Sequence, residues 1–182
     1  LLNMGKIKEV SLVKLICGLI SNKVELFNKT TFDLSSYFGE IDYQSENFLF
    51  DQTNYYEEEM GKDLFRRFIS FKELINRERL AEVKRITNEV EKCYSQNNKR
   101  MVNLDPGYFT YSNLVLASTK NYFHRIYIGK DIFAEVTLYY TKGKFNFLPW
   151  TYPDYKKQEY LDSFLEIRKI YQEQIKEIEK HH

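Results

Sequence analysis

From Leu12 to Ile20 the chain is continuously apolar except for Lys14. A strand exposed on one face alternates apolar and polar residues, so this run reads as a strand covered on both faces. As a helix it would be far too short for a bilayer, which takes about 20 apolar residues. A doubly covered strand belongs in the middle of a sheet with layers above and below it. The rest of the chain has to supply those layers.

The flanking patterns suggest how. Asn22 with Glu25 reads as a capping box opening a helix whose apolar face is Leu26, Phe27, Thr30, Leu34 and Tyr37, with Gly39 ending it; Thr30 and Thr31 count against helix there. Ile41 to Phe50 alternates until the parity breaks near Asn47, as at a bulge or strand end. Asn54 with Glu57 caps a short helix through Met60 that stops at Gly61, and the Glu57-Glu58-Glu59 run reads as a solvated face. Leu64 to Phe71 reads as a strand. Residues 78–95 read as an amphipathic helix along Leu80, Val83, Thr87, Val90 and Tyr94, followed by an Asn97-Asn98 turn and a strand from Met101 to Leu104. Strand, helix, strand, strand, helix, strand is the split βαβ order of a ferredoxin-like core, in which the first strand is central.

Beyond that core, Ser112 is expected to cap a short helix over Leu114 to Thr119. His124–Ile128, Ile132–Thr141 and Lys144–Leu148 read as strands joined at Gly129-Lys130-Asp131 and Thr141-Lys142-Gly143. Pro149 to Tyr155 holds too much proline for a ladder strand and is expected to lie extended against the body, with Asp154 near the next helix start. A long helix follows at about 158–179, with Leu161, Phe164, Leu165, Arg168, Tyr171, Ile175 and Ile178 toward the sheet. The expected fold is thus one α+β domain: a ferredoxin-like split βαβ core at 12–105, a loop, short helix and β-hairpin extension at 106–155, and a long C-terminal helix at 156–180. His181 and His182 read as a tag remnant.

Composition narrows the function classes. At 43% hydrophobic and 29% charged residues the chain is globular and not disordered. Fifteen tyrosines and fourteen phenylalanines point to a ring-rich core or an association surface ahead of a cofactor role. A net charge of +1 gives no global field toward nucleic acid or a membrane surface. Cys17 and Cys93 lie in apolar-periodic segments and read as buried thiols of a reducing compartment, so with no signal-peptide pattern a cytoplasmic location is expected. No Walker loop, GxGxxG or CxxC is present, Ser11-x-x-Lys14 precedes a strand and not a helix, and one histidine besides the terminal pair, with two separated cysteines, argues against a zinc site. The sequence identifies no cofactor.

Three places concentrate polar chemistry. Asn103 and Asp105 fall on one face of a strand end, and Asp105-Pro106-Gly107 is also good turn chemistry. Ser118-Thr119-Lys120-Asn121 leads into His124-Arg125, a group able to bind phosphate or carboxylate, although on a strand His124 and Arg125 would point to opposite faces. A hairpin with Ile128 facing Ile132 sets Arg125 opposite Glu135, Tyr127 against Phe133 and Ile126 against Ala134.

Those segments also carry a resemblance. NLDPGY at 103–108, VLASTKN at 115–121, HRIYIG at 124–129, AEVTL at 134–138 and PWTYPDY at 149–155 resemble an uncharacterised bacterial domain-of-unknown-function family of about this length. Gly39 to Tyr43 and the stretch Tyr55 to Gly61 fit as well. Some relatives carry a GTP-binding label. The leading expectation is a small binding domain for an anionic ligand such as a nucleotide or metabolite, lined by Asn103, Asp105, Lys120, His124, Arg125 and Glu135. The alternatives are a homodimer or interaction scaffold built on rings near Trp150, and a small enzyme using Asp105 or Glu135 with His124. RNA binding through a ring-bearing sheet is disfavoured by the near-neutral charge and the covering helix.

Overall fold

The computed structural model describes residues 10–51 and 56–180. The chain runs β1 (Val13–Ser21), α1 (Val24–Phe38), β2 (Ile41–Gln44), β3 (Phe48–Leu49), α2 (Glu57–Met60) and β4 (Phe65–Ile75). A single 3-10 turn, Arg77–Arg79, then leads into α3 (Leu80–Cys93). There follow β5 (Ser95–Gln96), β6 (Lys99–Arg100), β7 (Asn103–Phe109), β8 (Asn113–Ser118), β9 (Ile126–Gly129), β10 (Ile132–Thr141) and β11 (Lys144–Phe147). A 3-10 turn at Pro153–Lys156 precedes α4 (Gln158–Lys180). The Asn54 cap and the His181-His182 pair fall outside the described residues.

Every residue of β1 is buried, and it sits between β7 and β4 in an antiparallel sheet ordered β11-β10-β8-β7-β1-β4-β2. On one face Leu15, Cys17 and Leu19 meet Phe27 and Leu34 of α1 and Val83 and Val90 of α3. On the other, Ile16 and Phe68 meet Tyr160, Phe164 and Ile167 of α4. Lys14, the one charge in the run, is satisfied on that second face by Asp42 and, at 2.8 Å, by Gln174 of α4. Both faces of the sheet therefore carry helices.

Several local expectations change. The Asn22–Glu25 box does not form; Lys23 N–H donates to Ser21 Oγ at 3.0 Å instead. Thr30 is tolerated in α1 because its hydroxyl donates back to Leu26 O, and Phe38 takes the buried place expected of Tyr37. The face that α4 buries is Tyr160, Ser163, Phe164, Ile167, Tyr171 and Ile175, leaving Leu165 and Ile178 exposed. Cys93 is exposed, not buried. No helix follows Ser112: Thr110 Oγ1 accepts from the Ser112 and Asn113 N–H groups, closing a tight turn, and Leu114 to Ala117 form the buried strand β8. Short apolar runs are ambiguous between strand and helix, and burial from both sides decides this one. In the β9–β10 hairpin, Tyr127 faces Phe133 and Ile126 faces Ala134 as expected, but Gly129 and not Ile128 faces Ile132. Lys130 and Asp131 make the turn, both at positive φ (54° and 62°).

Asp105-Pro106-Gly107 makes no turn: the strand expected over Met101 to Leu104 instead runs from Asn103 through it to Phe109. β7 pairs with β1 along its whole length but with β8 only from Gly107 to Phe109. Leu104 N–H and C=O point away from β1, since they meet Glu91 Oε1 (2.6 Å) and Lys84 Nζ (2.8 Å) of α3. Residues two apart in a strand direct their backbone groups to the same side. Pro106 therefore lacks its N–H on the side facing β8, where the next rung with Ala117 would form. The ladder stops there, and β8 leaves with β10 while β7 stays on β1. Gly107 holds the last rung because a Cβ there would stand 2.3 Å from Val115 O. Gly107→Ala is expected to destabilise the fold by about 2 kcal/mol or more, seen as a lower urea midpoint. An unchanged midpoint would show that the rung is not tight.

Candidate functional site

Where β7 and β8 part, a cavity of about 780 Å³ opens between them. Asn103 and Asp105 line it from β7, Leu116 to Ser118 from β8 and Glu135 from β10. Lys84, Asn88 and Glu91 close it from α3, and Tyr152 to Tyr155 from the turn before α4. Of the six residues singled out in the sequence, Asn103, Asp105, Lys120, Arg125 and Glu135 line this one cavity; His124 does not, and acts through Glu135.

Arg66 of β4 forms its floor. The guanidinium is buried, its Nη1 2.9 Å from Asp105 Oδ2 and its Nη2 3.1 Å from Asp154 Oδ2, with the rings of Phe50, Phe68 and Tyr155 around it. Gly18 makes room: a Cβ there would lie 2.7 Å from Arg66 Nη1. Burial pushes the Asp154 carboxyl above its ordinary range, against the pull of Arg66 and with the repulsion of Asp105.

A second cluster closes the far wall. Glu135 is buried, and its Oε2 accepts from His124 Nε2 (2.8 Å) and Arg125 Nε (2.7 Å). Both reach the same oxygen because His124 lies in a turn, with β9 beginning only at Ile126. Arg125 also donates to Ser118 Oγ, Lys120 O and Tyr152 Oη, tying the loop and the Pro149–Tyr155 segment to the sheet. His124 stacks on Trp150 at 4.9 Å and 12°. Trp150 Nε1–H and Thr151 Oγ1–H donate to Val136 O and Thr137 O, filling the stretch of the β10 edge that neither β9 nor β11 covers. Trp150 is thus half-buried and engaged; the exposed rings of Tyr122 and Phe123 pack on His124, which stacks on it.

The third cluster was not legible from local motifs. Arg100 pairs with Glu59 at 2.7 Å and donates to Asn103 Oδ1 at 2.8 Å. Of the Glu57-Glu58-Glu59 run only the Glu59 side chain is described; it is half-buried in this pair and not fully solvated. Arg100 holds the Glu59 carboxylate below its ordinary range. Burial raises the Glu91 carboxyl despite Lys84, the Leu104 N–H and Arg100 nearby. Among the described residues, Lys84 Nζ has one hydrogen-bond acceptor, Leu104 O, although the residue is only 7% exposed. Asn103, 4% exposed, has no acceptor for its Nδ2 among the described residues. Lys84, Arg66 and Arg100 lie on separate elements, and no spacing in the sequence joins them to Asn103.

A family model described as "Domain of unknown function (DUF4416)" matches residues 11–171. The chain belongs to this family. No curated protein and no solved structure matches it. The DUF4416 match spans every wall of the cavity, from Gly18 under Arg66 to Tyr155. Among the described residues, no group of three or more His, Cys, Asp or Glu is placed to hold a metal ion, and no helix is long and apolar enough to cross a membrane.

Arg66 gives the site its clearest stability test. Arg66→Met leaves two carboxylates facing each other and should cost about 3–5 kcal/mol at neutral pH. Acidification toward the raised range of Asp154 should restore part of it, as should adding Asp154→Asn. Urea unfolding at two pH values reads this out, and a loss that neither change relieves would count against the pairing.

Proposed function

We propose that the protein binds a small anionic molecule, one bearing a phosphate or carboxylate, in the slit between β7 and β8. The observation that carries this reading is the character of the unsatisfied groups on the walls. Among the described residues, two N–H groups of Lys84 and the Nδ2 of Asn103 are donors without an acceptor. Buried donors left unpaired cost free energy, and a bound oxyanion would satisfy them. Charge supports the same reading. Arg66, Lys84, Lys92, Arg100, Lys120 and Arg125 line the cavity against Glu91, Asp105, Glu135 and Asp154, six cations to four carboxylates. Arg125, with four of its five N–H groups engaged by Glu135, Ser118, Lys120 and Tyr152, acts here as a wall-builder, while Lys84 and Asn103 make the contact.

The scaffold proposed for this site is a ferredoxin-like split βαβ core. The order β7-β1-β4-β2, with α1 following β1 and α3 following β4 in the chain, supports it. Beyond Pro106 the strands β8 to β11 form an extension that leans away and leaves the slit. The free thiols Cys17 and Cys93 fit the cytoplasmic location included in this proposal.

Thermal denaturation with inorganic phosphate, pyrophosphate, citrate and nucleoside phosphates tests the reading. A ligand near a hundred times its Kd adds about 2.7 kcal/mol, and each kcal/mol raises Tm by about 2–4 °C at this size. At least one anion is expected to do so, and Lys84→Met to abolish the shift. Glu91 and Asp154 hold their protons more tightly folded than unfolded, so the unliganded stability they contribute falls as pH rises through their raised range. Their ionisation also repels an anion, so affinity should fall over the same window. No response to any anion, or an equal response in Lys84→Met, contradicts the proposal.

A further inference from the structure

The donors without acceptors share the slit with an acceptor that has room for a donor. Asp105 Oδ2 is held by Arg66, but among the described residues Oδ1 has no hydrogen-bond partner, and the side chain remains 25% exposed in the cavity. Around Arg66 two carboxylates, Asp105 and Asp154, share one guanidinium, so that end of the slit carries a formal surplus of negative charge. Asn103 and Asp105 stand two residues apart on the same face of β7, so the two ends are separated by about 7 Å. The Asn103 end is fixed by the Arg100 bond to its Oδ1, and among the described residues the Nδ2 of this cavity-lining side chain has no acceptor. Its position is therefore set by the protein and not by the ligand.

Building on the anion-binding reading, we infer that the ligand is amphoteric: an acidic group held by Lys84 and Asn103, and an amino group held by the Asp105 carboxylate about 7 Å away. A simple oxyanion would leave Asp105 Oδ1 desolvated without a donor. A plain amine would leave Lys84 and Asn103 unpaired. A molecule with both groups at this separation meets both demands, and the two ends enforce one orientation in the slit.

Calorimetric titration of the full chain with propyl phosphate, 3-hydroxypropyl phosphate and 3-aminopropyl phosphate tests it. The aminated ester is expected to bind at least about tenfold tighter than propyl phosphate, with the hydroxyl ester between them. Asp105→Asn should erase that advantage while propyl phosphate still binds, no more weakly than before, which also shows that the variant is folded. Lys84→Met should weaken all of them. Equal binding of the esters, or an advantage that survives Asp105→Asn, overturns the amphoteric ligand but leaves the anion site standing. If neither inorganic phosphate nor any ester binds, both readings fall together.

Discussion

An antiparallel ladder continues only while each rung can be hydrogen-bonded, and at Pro106 one rung cannot. The missing N–H faces β8, so the pairing that holds from Phe109 to Gly107 ends abruptly and the two strands diverge. Everything at the site depends on that divergence. It exposes the backbone of Leu104, which α3 satisfies through Lys84 and Glu91, and so brings charged side chains into what would be sheet interior. It also leaves Asn103 and Asp105 on a stretch of β7 that has no neighbouring strand on the β8 side. Gly107 next to it allows the last closed rung, so the split has a fixed position.

A slit through a sheet would collapse if its walls were apolar, and here they are charged and braced. Arg66 stands across the floor with a carboxylate on each side and rings around it. Such a buried cluster contributes little net stability, since desolvation offsets most of the attraction, but removing one member is costly. Its consequence is geometric: Asp105 and Asp154, from β7 and from the turn before α4, are held at a set separation. Arg125 and Glu135 do the same at the far wall, joining β10, the loop after β8 and Tyr152.

Much of this frame was legible in the sequence because it rests on periodicity. The apolar run at Leu12–Ile20, the Leu80 to Val90 stripe and the Ile132–Thr141 strand depend on local patterns that tertiary packing reinforces. The register that sets Tyr127 against Phe133 was likewise readable from the alternation of faces. What could not be read was topological. Asp-Pro-Gly favours a turn locally, and only the pairing of β7 with β1 along its whole length holds it extended. Leu114 to Ala117 fit a helix as well as a strand until both faces are covered. Asn103 and Asp105 stood out through strand parity, whereas Arg66, Lys84 and Arg100 are ordinary charges in their own segments. Their role comes from three elements converging on one slit.

The amide of Asn103, whose Nδ2 has no acceptor among the described residues, is the most informative single group in the protein. Nuclear magnetic resonance of the 15N-labelled chain, titrated with inorganic phosphate at constant ionic strength, observes that side-chain NH2 directly. Saturable movement of the Asn103 Nδ2–H2 resonances, together with the Leu104 backbone amide beside it, is expected if an oxyanion binds in the slit. If those resonances stay fixed while others shift, or if nothing saturates, the slit does not bind an oxyanion at its unpaired donors.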